Sequence, residues 1–268
     1  WRGKAGDAAG AVAAFAEVLE DQERVLGSDH PDTLVTRSNL AAWRGAAGDA
    51  AGAAAAYAEL LGDRERVLGA DHPETLITRN NLAHWRGKAG DAAGAVAAFA
   101  EVLEDQERVL GSDHPDSLDT RSNLAAWRGG AGDAAGAAAV LAELVDDRER
   151  VLGPDHPDTL TDRHNLAYWR GDAGDAAGAA AALAELVDDR ERVLGPDHPD
   201  TLTTRSALAA YRGEAGDAAG AAAALAELLD DRERVLGPDH PRTIHTRHKL
   251  SYWLGEVGNA AVEQLTDS

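Results

Sequence analysis

The sequence predicts an all-α solenoid, one array of antiparallel helix pairs running over residues 1–268. Three observations predict it. An aromatic residue returns every 42 positions, at Trp1, Trp43, Trp85, Trp127, Trp169, Tyr211 and Trp253, and a period of that size marks repeat architectures. The pairs His30-Pro31, His72-Pro73, His114-Pro115, His156-Pro157, His198-Pro199 and His240-Pro241 keep the same step, as do Gly6-Asp7, Gly48-Asp49 and Gly90-Asp91. Between these breaks apolar residues recur at helical spacing and most are alanine, aromatics being only 4% of the chain. Small side chains suit helices packed closely together, whereas a compact β-rich core of this size needs more large ones. The array divides into a partial repeat over 1–30, full repeats over 31–72, 73–114, 115–156, 157–198 and 199–240, and a partial terminal repeat over 241–268. Residues 1–34 match 85–118 everywhere except Thr33 against Ser117, which reads as a recent duplication of a two-repeat block.

One unit, taken in chain order, begins with Asp71 as the expected cap of a first helix. Pro73 falls in its first turn and Glu74 three residues after the cap, as in a capping box. The first helix runs to about residue 89, some 24 Å long, with Leu76, Leu82, Ala83 and Trp85 on one face. Gly90 ends it and Asp91 caps the second helix. That helix, about 30 Å long, carries Ala95, Phe99, Val102, Leu103, Gln106, Val109 and Leu110 near the 3.6-residue period. Gly111 stops it. Neither helix buries its apolar face alone, so each must stack on its neighbours. The chain opens at the end of a first helix and closes early in a second, which reads as a piece of a longer array with an uncapped N-terminal end.

Composition removes several function classes. A formal charge of −21 repels phosphate backbones, so no nucleic-acid partner is expected. No run approaches the roughly 18 apolar residues of a membrane span, and no leader follows Trp1. The absence of cysteine removes disulfides and thiolate chemistry and is compatible with a cytoplasmic protein. Arginine, alanine and glycine bias hints at a high-GC bacterial genome. There is no phosphate-binding Gly-Lys loop and no serine in a nucleophile elbow. Every Asp and His suited to acid–base work recurs as punctuation, whereas catalysis needs one unlike constellation. The expectation is a non-enzyme without a cofactor or metal.

Asn81-Leu82-Ala83, Gly90-Asp91, Leu110-Gly111 and Asp113-His114-Pro115 resemble the tetratricopeptide repeat in its 42-residue, kinesin light chain-like form. Similar arrays occur in bacterial proteins, often as the sensor half of signalling ATPases. The resemblance implies a right-handed superhelix of helix pairs whose first helices line a concave peptide-binding groove. Two features depart from the pattern. The aromatic near the end of the first helix sits one place early, and the paired asparagines survive only as Asn80-Asn81.

Comparing the copies locates a candidate site. Variation concentrates on the first helix, at the positions of Val35, Ser38, Ala42 and Ala46 in the first copy. Spacings of three and four put all four on one face, which the resemblance makes the groove; the alternative is free drift at solvent positions. Beside it runs a ladder of amides, Asn39, Asn81, Asn123 and Asn165, able to hold a peptide backbone or to bond between helices. The candidate groove residues are Asn39, Asn80, Asn81, His84, Asn123, His164, Asn165, Tyr168, His245, His248, Lys249 and Tyr252. His245 and His248 could ligate zinc, but no third ligand has suitable spacing. The Trp ladder reads as core packing. Arg37 and its five copies are expected to pair with acids of the Asp63 or Glu65 type. The partner is then a protein or peptide. A regulatory sensor region of a larger ATPase or transcriptional regulator, and head-to-tail self-association of a solenoid, are the alternatives.

Overall fold

The computed structural model describes residues 8–266, with side chains through residue 259; Trp1, Lys4 and Gly6-Asp7 lie outside the described residues. The described residues form twelve helices in two compact units, residues 1–132 and 133–268. The first unit holds α1 (Ala8–Leu26), α2 (Pro31–Ala46), α3 (Ala50–Leu68), α4 (Pro73–Lys88), α5 (Ala92–Leu110) and α6 (Pro115–Gly130). The second holds α7 (Ala134–Leu152), α8 (Pro157–Asp172), α9 (Ala176–Leu194), α10 (Pro199–Glu214), α11 (Ala218–Leu236) and α12 (Pro241–Thr266). Within each unit every helix packs on its neighbours in sequence. The even-numbered helices are the predicted first helices of each pair, and the odd-numbered ones the second.

The helix starts correct one expectation. His72, not Asp71, is the N-cap of α4: its Nδ1 accepts the Glu74 amide N–H at 3.2 Å. The residue before a proline is held in extended backbone, and with Pro73 opening the helix that residue is His72, at φ −69° and ψ 137°. Asp71 stands one place outside and accepts from Arg108 of α5 at 2.7 Å instead. The same exchange of roles recurs at His30 and Asp29, where Asp29 pairs with Arg66, and at His156 and Asp155, which pairs with Arg192. The second helices start as expected, with Asp91 Oδ1 accepting the Gly94 N–H at 2.9 Å. Gly90 supplies the left-handed break before it, at φ +111°.

The core is a series of small clusters, each shared by successive helices. Leu34, Ala41, Tyr57, Leu60 and Leu82 form one in the first unit, and Ala83, Ala95, Phe99 and Leu124 the next. In the second unit Leu160, Leu183, Leu186, Leu208 and Tyr211 pack together, followed by Leu202, Leu225 and Leu228. The aromatic ladder is packing material. The Trp127 ring lies so close on Gly87 that a Cβ there would fall 2.4 Å from it, and Tyr211 sits on Gly171 in the same way. Close approach of neighbouring first helices therefore needs glycine at this place.

The last helix departs from the expected punctuation. α12 continues through Gly258-Asn259 to Thr266 instead of breaking and starting a second helix. Gly258 is not among the positive-φ glycines, and Asn259 stands where Asp49, Asp91, Asp133, Asp175 and Asp217 cap α3, α5, α7, α9 and α11.

Candidate functional site

In the first unit, the first-helix face carries amides free of structural duty. Asn39 and Asn123 are exposed and Asn81 is half-buried; among the described residues none of the three has a hydrogen-bond partner within the protein. Asn80 differs: its amide donates to Thr120 Oγ1, tying α4 to α6. Inter-helix bonding thus belongs to the position beside the ladder, not to the ladder. His84 is half-buried, edge-on to Trp85 and Trp127 at ring separations of 5.0 and 5.9 Å. Burial, then the Lys88 charge, pulls its pKa below the usual histidine value. Lys88 reaches over the Trp127 ring at 5.9 Å.

In the second unit His164 takes the place of Asn80 and meets Thr204 Oγ1 at 3.3 Å, the equivalent tie between α8 and α10. Burial, assisted by Arg190, pulls its pKa down to about 4. Asn165 is half-buried. Tyr168 is 42% exposed and lies against Trp169 and Tyr211, and the Tyr211 hydroxyl donates to the Tyr168 carbonyl at 2.8 Å.

A cavity of about 420 Å³ opens on this face over α8, α10 and α12. It gathers four residues singled out from sequence, His164, Tyr168, His245 and Lys249. His248 and Tyr252 do not line it; both are exposed on α12. Arg232 and Arg242, which sequence reading missed, complete the wall together with Asp172 and Glu214, which stand at the variable position of Ala46.

Arg232 belongs to a buried series that was not anticipated. Arg64, Arg148, Arg190 and Arg232 of the second helices are 2–4% exposed, and Gln106 in the same register is 0% exposed. Arg64 donates to the Glu74 carbonyl and to Thr78 Oγ1, each at 2.7 Å, and pairs with the Glu74 carboxylate at 3.0 Å. Arg148 pairs with the equally buried Asp162 at 2.7 Å. Each fastens a second helix to the next first helix. The signal in the sequence was Gln106, a polar residue on the stripe of Ala95, Phe99 and Val102. The other arginine series behaves as expected: Arg37, Arg79, Arg163 and Arg205 pair with Asp63, Asp105, Asp189 and Asp231 at 2.6–2.8 Å. Arg121 and Arg247 pair with acids of the Glu65 type, Glu107 and Glu233, each at 2.7 Å.

Among the described residues, no group of three or more His, Asp or Glu side chains is placed to hold a metal ion, and no helix is long and apolar enough to cross a membrane.

Stacked helical hairpins, locked by buried arginines and presenting unpaired polar side chains on one set of helices, define a repeat scaffold. Models of the tetratricopeptide repeat match residues 2–65, 75–116, 117–158, 159–200 and 201–242, and the chain belongs to that family. No curated protein matches it in sequence. Among solved structures it is similar to a Podosopora anserina protein assigned as a kinesin light chain with nearly identical repeats, at 24% identity and TM-score 0.69, over 76% of this chain and 97% of that one. It is similar also to BtubC from P. vanneervenii, at 20% identity and TM-score 0.73, over 87% and 94% of the two chains. A Rap protein complexed with competence and sporulation factor aligns at 11% identity and TM-score 0.58, over 96% and 80%. These likenesses carry the fold.

Proposed function

We propose that this chain is a protein-interaction scaffold that holds an extended peptide or partner segment against its first-helix face. The observation that supports it most is the idleness of the ladder amides. Asn39, Asn81 and Asn123 recur at one register and present donors and acceptors outward, yet none is used inside the fold. An extended backbone needs such donors and acceptors at a regular spacing. Proteins of the tetratricopeptide family bind protein or peptide partners, and the Rap protein of similar fold was crystallised with a factor bound. The cavity over α8, α10 and α12 offers the second unit a recess for a partner's side chains.

The test is selection of peptides from a displayed random library on the whole chain, followed by titration calorimetry of the winners. Asn81→Arg or Asn123→Arg should weaken a peptide held on the first unit at least tenfold. Glu104→Arg, exposed on α5, should leave it unchanged. Failure to select any peptide, or equal affinity in all three variants, overturns the reading.

A further inference from the structure

The last repeat inverts a charge that all the others keep. The second position of the first helix is Asp32, Glu74, Asp116, Asp158 and Asp200 in five copies and Arg242 in the sixth. The acid has two duties there. It complements the positive end of the helix dipole, and in two copies its carboxylate pairs with the buried arginine of the preceding helix, Glu74 with Arg64 at 3.0 Å and Asp158 with Arg148 at 3.2 Å, whereas Arg190 takes the Asp200 carbonyl instead. Arg242 does neither. Arg232, 4% exposed, is left with backbone carbonyls of Leu202 and Arg242 and the Thr246 hydroxyl as its acceptors. Its Nε has no partner. Among the described residues no carboxylate lies within ion-pair distance of it. His245 and Lys249 add two more basic side chains to the same cavity wall.

The opposite end of that cavity has the opposite sign. Asp172 and Glu214 close α8 and α10 and both line it, next to the Tyr168 and Tyr211 rings. Burial and the charges around it, Asp172 and Glu214 among them, push the Tyr211 hydroxyl above the usual tyrosine value. Lys249 lies between the two ends: burial and Arg232 pull its pKa down, and Glu214 pushes it up. The parallel helices α8 and α10 aim their negative dipole ends at the acidic end, reinforcing the polarity. A cation there would meet carboxylates and aromatic faces together.

We infer that this cavity is a bipolar subsite for a peptide carrying an acidic side chain and a basic side chain a few residues apart. The acid is received by Arg242 and His245 above the buried charge of Arg232, the base by Asp172, Glu214 and Tyr168. Thr203 to Glu214 along α10 is about 16 Å at 1.5 Å per residue, a distance that an extended chain crosses in about five residues. This deepens the peptide-binding reading for the second unit and rests on it.

Three fluorescently labelled heptapeptides with the same uncharged spacer test it, with two acidic ends, two basic ends, or one of each. In anisotropy titrations of the whole chain at about 150 mM salt, where exposed charges more than about 8 Å apart are largely screened, the mixed peptide should bind at least tenfold tighter than either other. The chain's charge of −21 works against this outcome by favouring the dibasic peptide indiscriminately. Arg242→Asp, which restores the residue of the other copies, should move the preference to the dibasic peptide. The double variant Asp172→Lys, Glu214→Lys should move it to the diacidic one. Circular dichroism confirms that both variants fold. Equal binding of the three peptides, no binding of any, or variants that weaken all three alike overturns the subsite. The peptide-binding reading itself falls on its own test, when library selection on the whole chain yields nothing or the Asn81, Asn123 and Glu104 variants bind alike.

Discussion

Gln106 offers a substitution that should strengthen the fold, because the chain itself supplies the better residue at four equivalent places. The Gln106 side chain is fully buried with both amide atoms unpartnered, whereas Arg64 in the same register leaves only its Nε without a partner. Arg64 adds two hydrogen bonds of 2.7 Å and a pair with Glu74. One buried polar atom fewer without a partner is worth about 1–3 kcal/mol. The charge-assisted bonds add to this, and desolvation of the guanidinium takes most of that addition back. Gln106→Arg, with Asp116 and Thr120 standing where Glu74 and Thr78 do, should therefore stabilise the α5–α6 pair by about 2 kcal/mol. Arg64→Gln should cost a similar amount. Burial pulls Arg64 below its usual guanidinium range and Glu74 offsets only part of that, so the gain rests on the hydrogen bonds and not on the buried charge. Urea denaturation of the whole chain, with hydrogen exchange at the α5 and α6 amides to place the effect, measures both changes. Long repeat arrays can unfold in stages, so the local protection factors carry the decision. A Gln106→Arg protein less stable than its parent, or an Arg64→Gln protein of unchanged stability, would refute the view that these arginines fasten one repeat to the next.

Three further outcomes follow from the same geometry. Gly87→Ala puts a Cβ 2.4 Å from the Trp127 ring and should cost about 1–3 kcal/mol by overpacking; Gly62→Ala, in the interior of α3 with nothing within 4 Å, should instead gain up to about 1 kcal/mol. Thermal melts compare the two. His72→Ala removes the acceptor for the Glu74 amide and should cost about 1 kcal/mol, read as earlier exchange of the first amides of α4. His164, held in the fold at about 4, takes up its proton in the unfolded chain first, near 6.5. Stability should therefore be intact above about pH 6.5 and fall, by up to about 3 kcal/mol, as pH drops toward 4. His164→Asn, the residue at the equivalent place in α4, should flatten that slope, and an unchanged pH profile would assign it to other groups.

Most of the fold was written in the sequence because it rests on local, repeated signals. The 42-residue step, the left-handed glycines and the Asp caps of the second helices each act within a few residues, so the pattern and the structure agree there. The errors arise where a role depends on the neighbouring helix. Asp71 carried every mark of a cap, but Pro73 fixes His72 in that place and frees Asp71 to meet Arg108. Arg64 and its copies drew no reading from the sequence, although seven residues separate Arg64 from Tyr57 on the buried stripe. The candidate site divides along the same line. His164, Tyr168, His245 and Lys249 were recognisable as departures on one helical face. Arg242 lies on the capping turn, where the neighbouring His240 and Pro241 repeat unchanged and mask it, and Arg232 is buried on the other helix.

Departures between copies differ in what they imply. A change at an exposed place such as Val35 or Thr161 is tolerated by almost any fold, so its occurrence points nowhere. Charge changes beside a buried arginine are another matter, since an uncompensated buried ion costs several kcal/mol. The second unit contains two. Asp162 replaces a threonine and is compensated at once by Arg148 at 2.7 Å. Arg242 replaces an acid and is not compensated: it adds a like charge beside Arg232 and sets a basic side chain against the dipole of its own helix. A helix that only had to stack would gain by returning to aspartate. If Arg242→Asp raises the denaturation midpoint while abolishing preference for the mixed-charge peptide, the cost of that arginine is borne for binding. A midpoint unchanged or lowered by the same substitution would mean that Arg242 stabilises the last repeat, and the charge inversion would carry no functional weight.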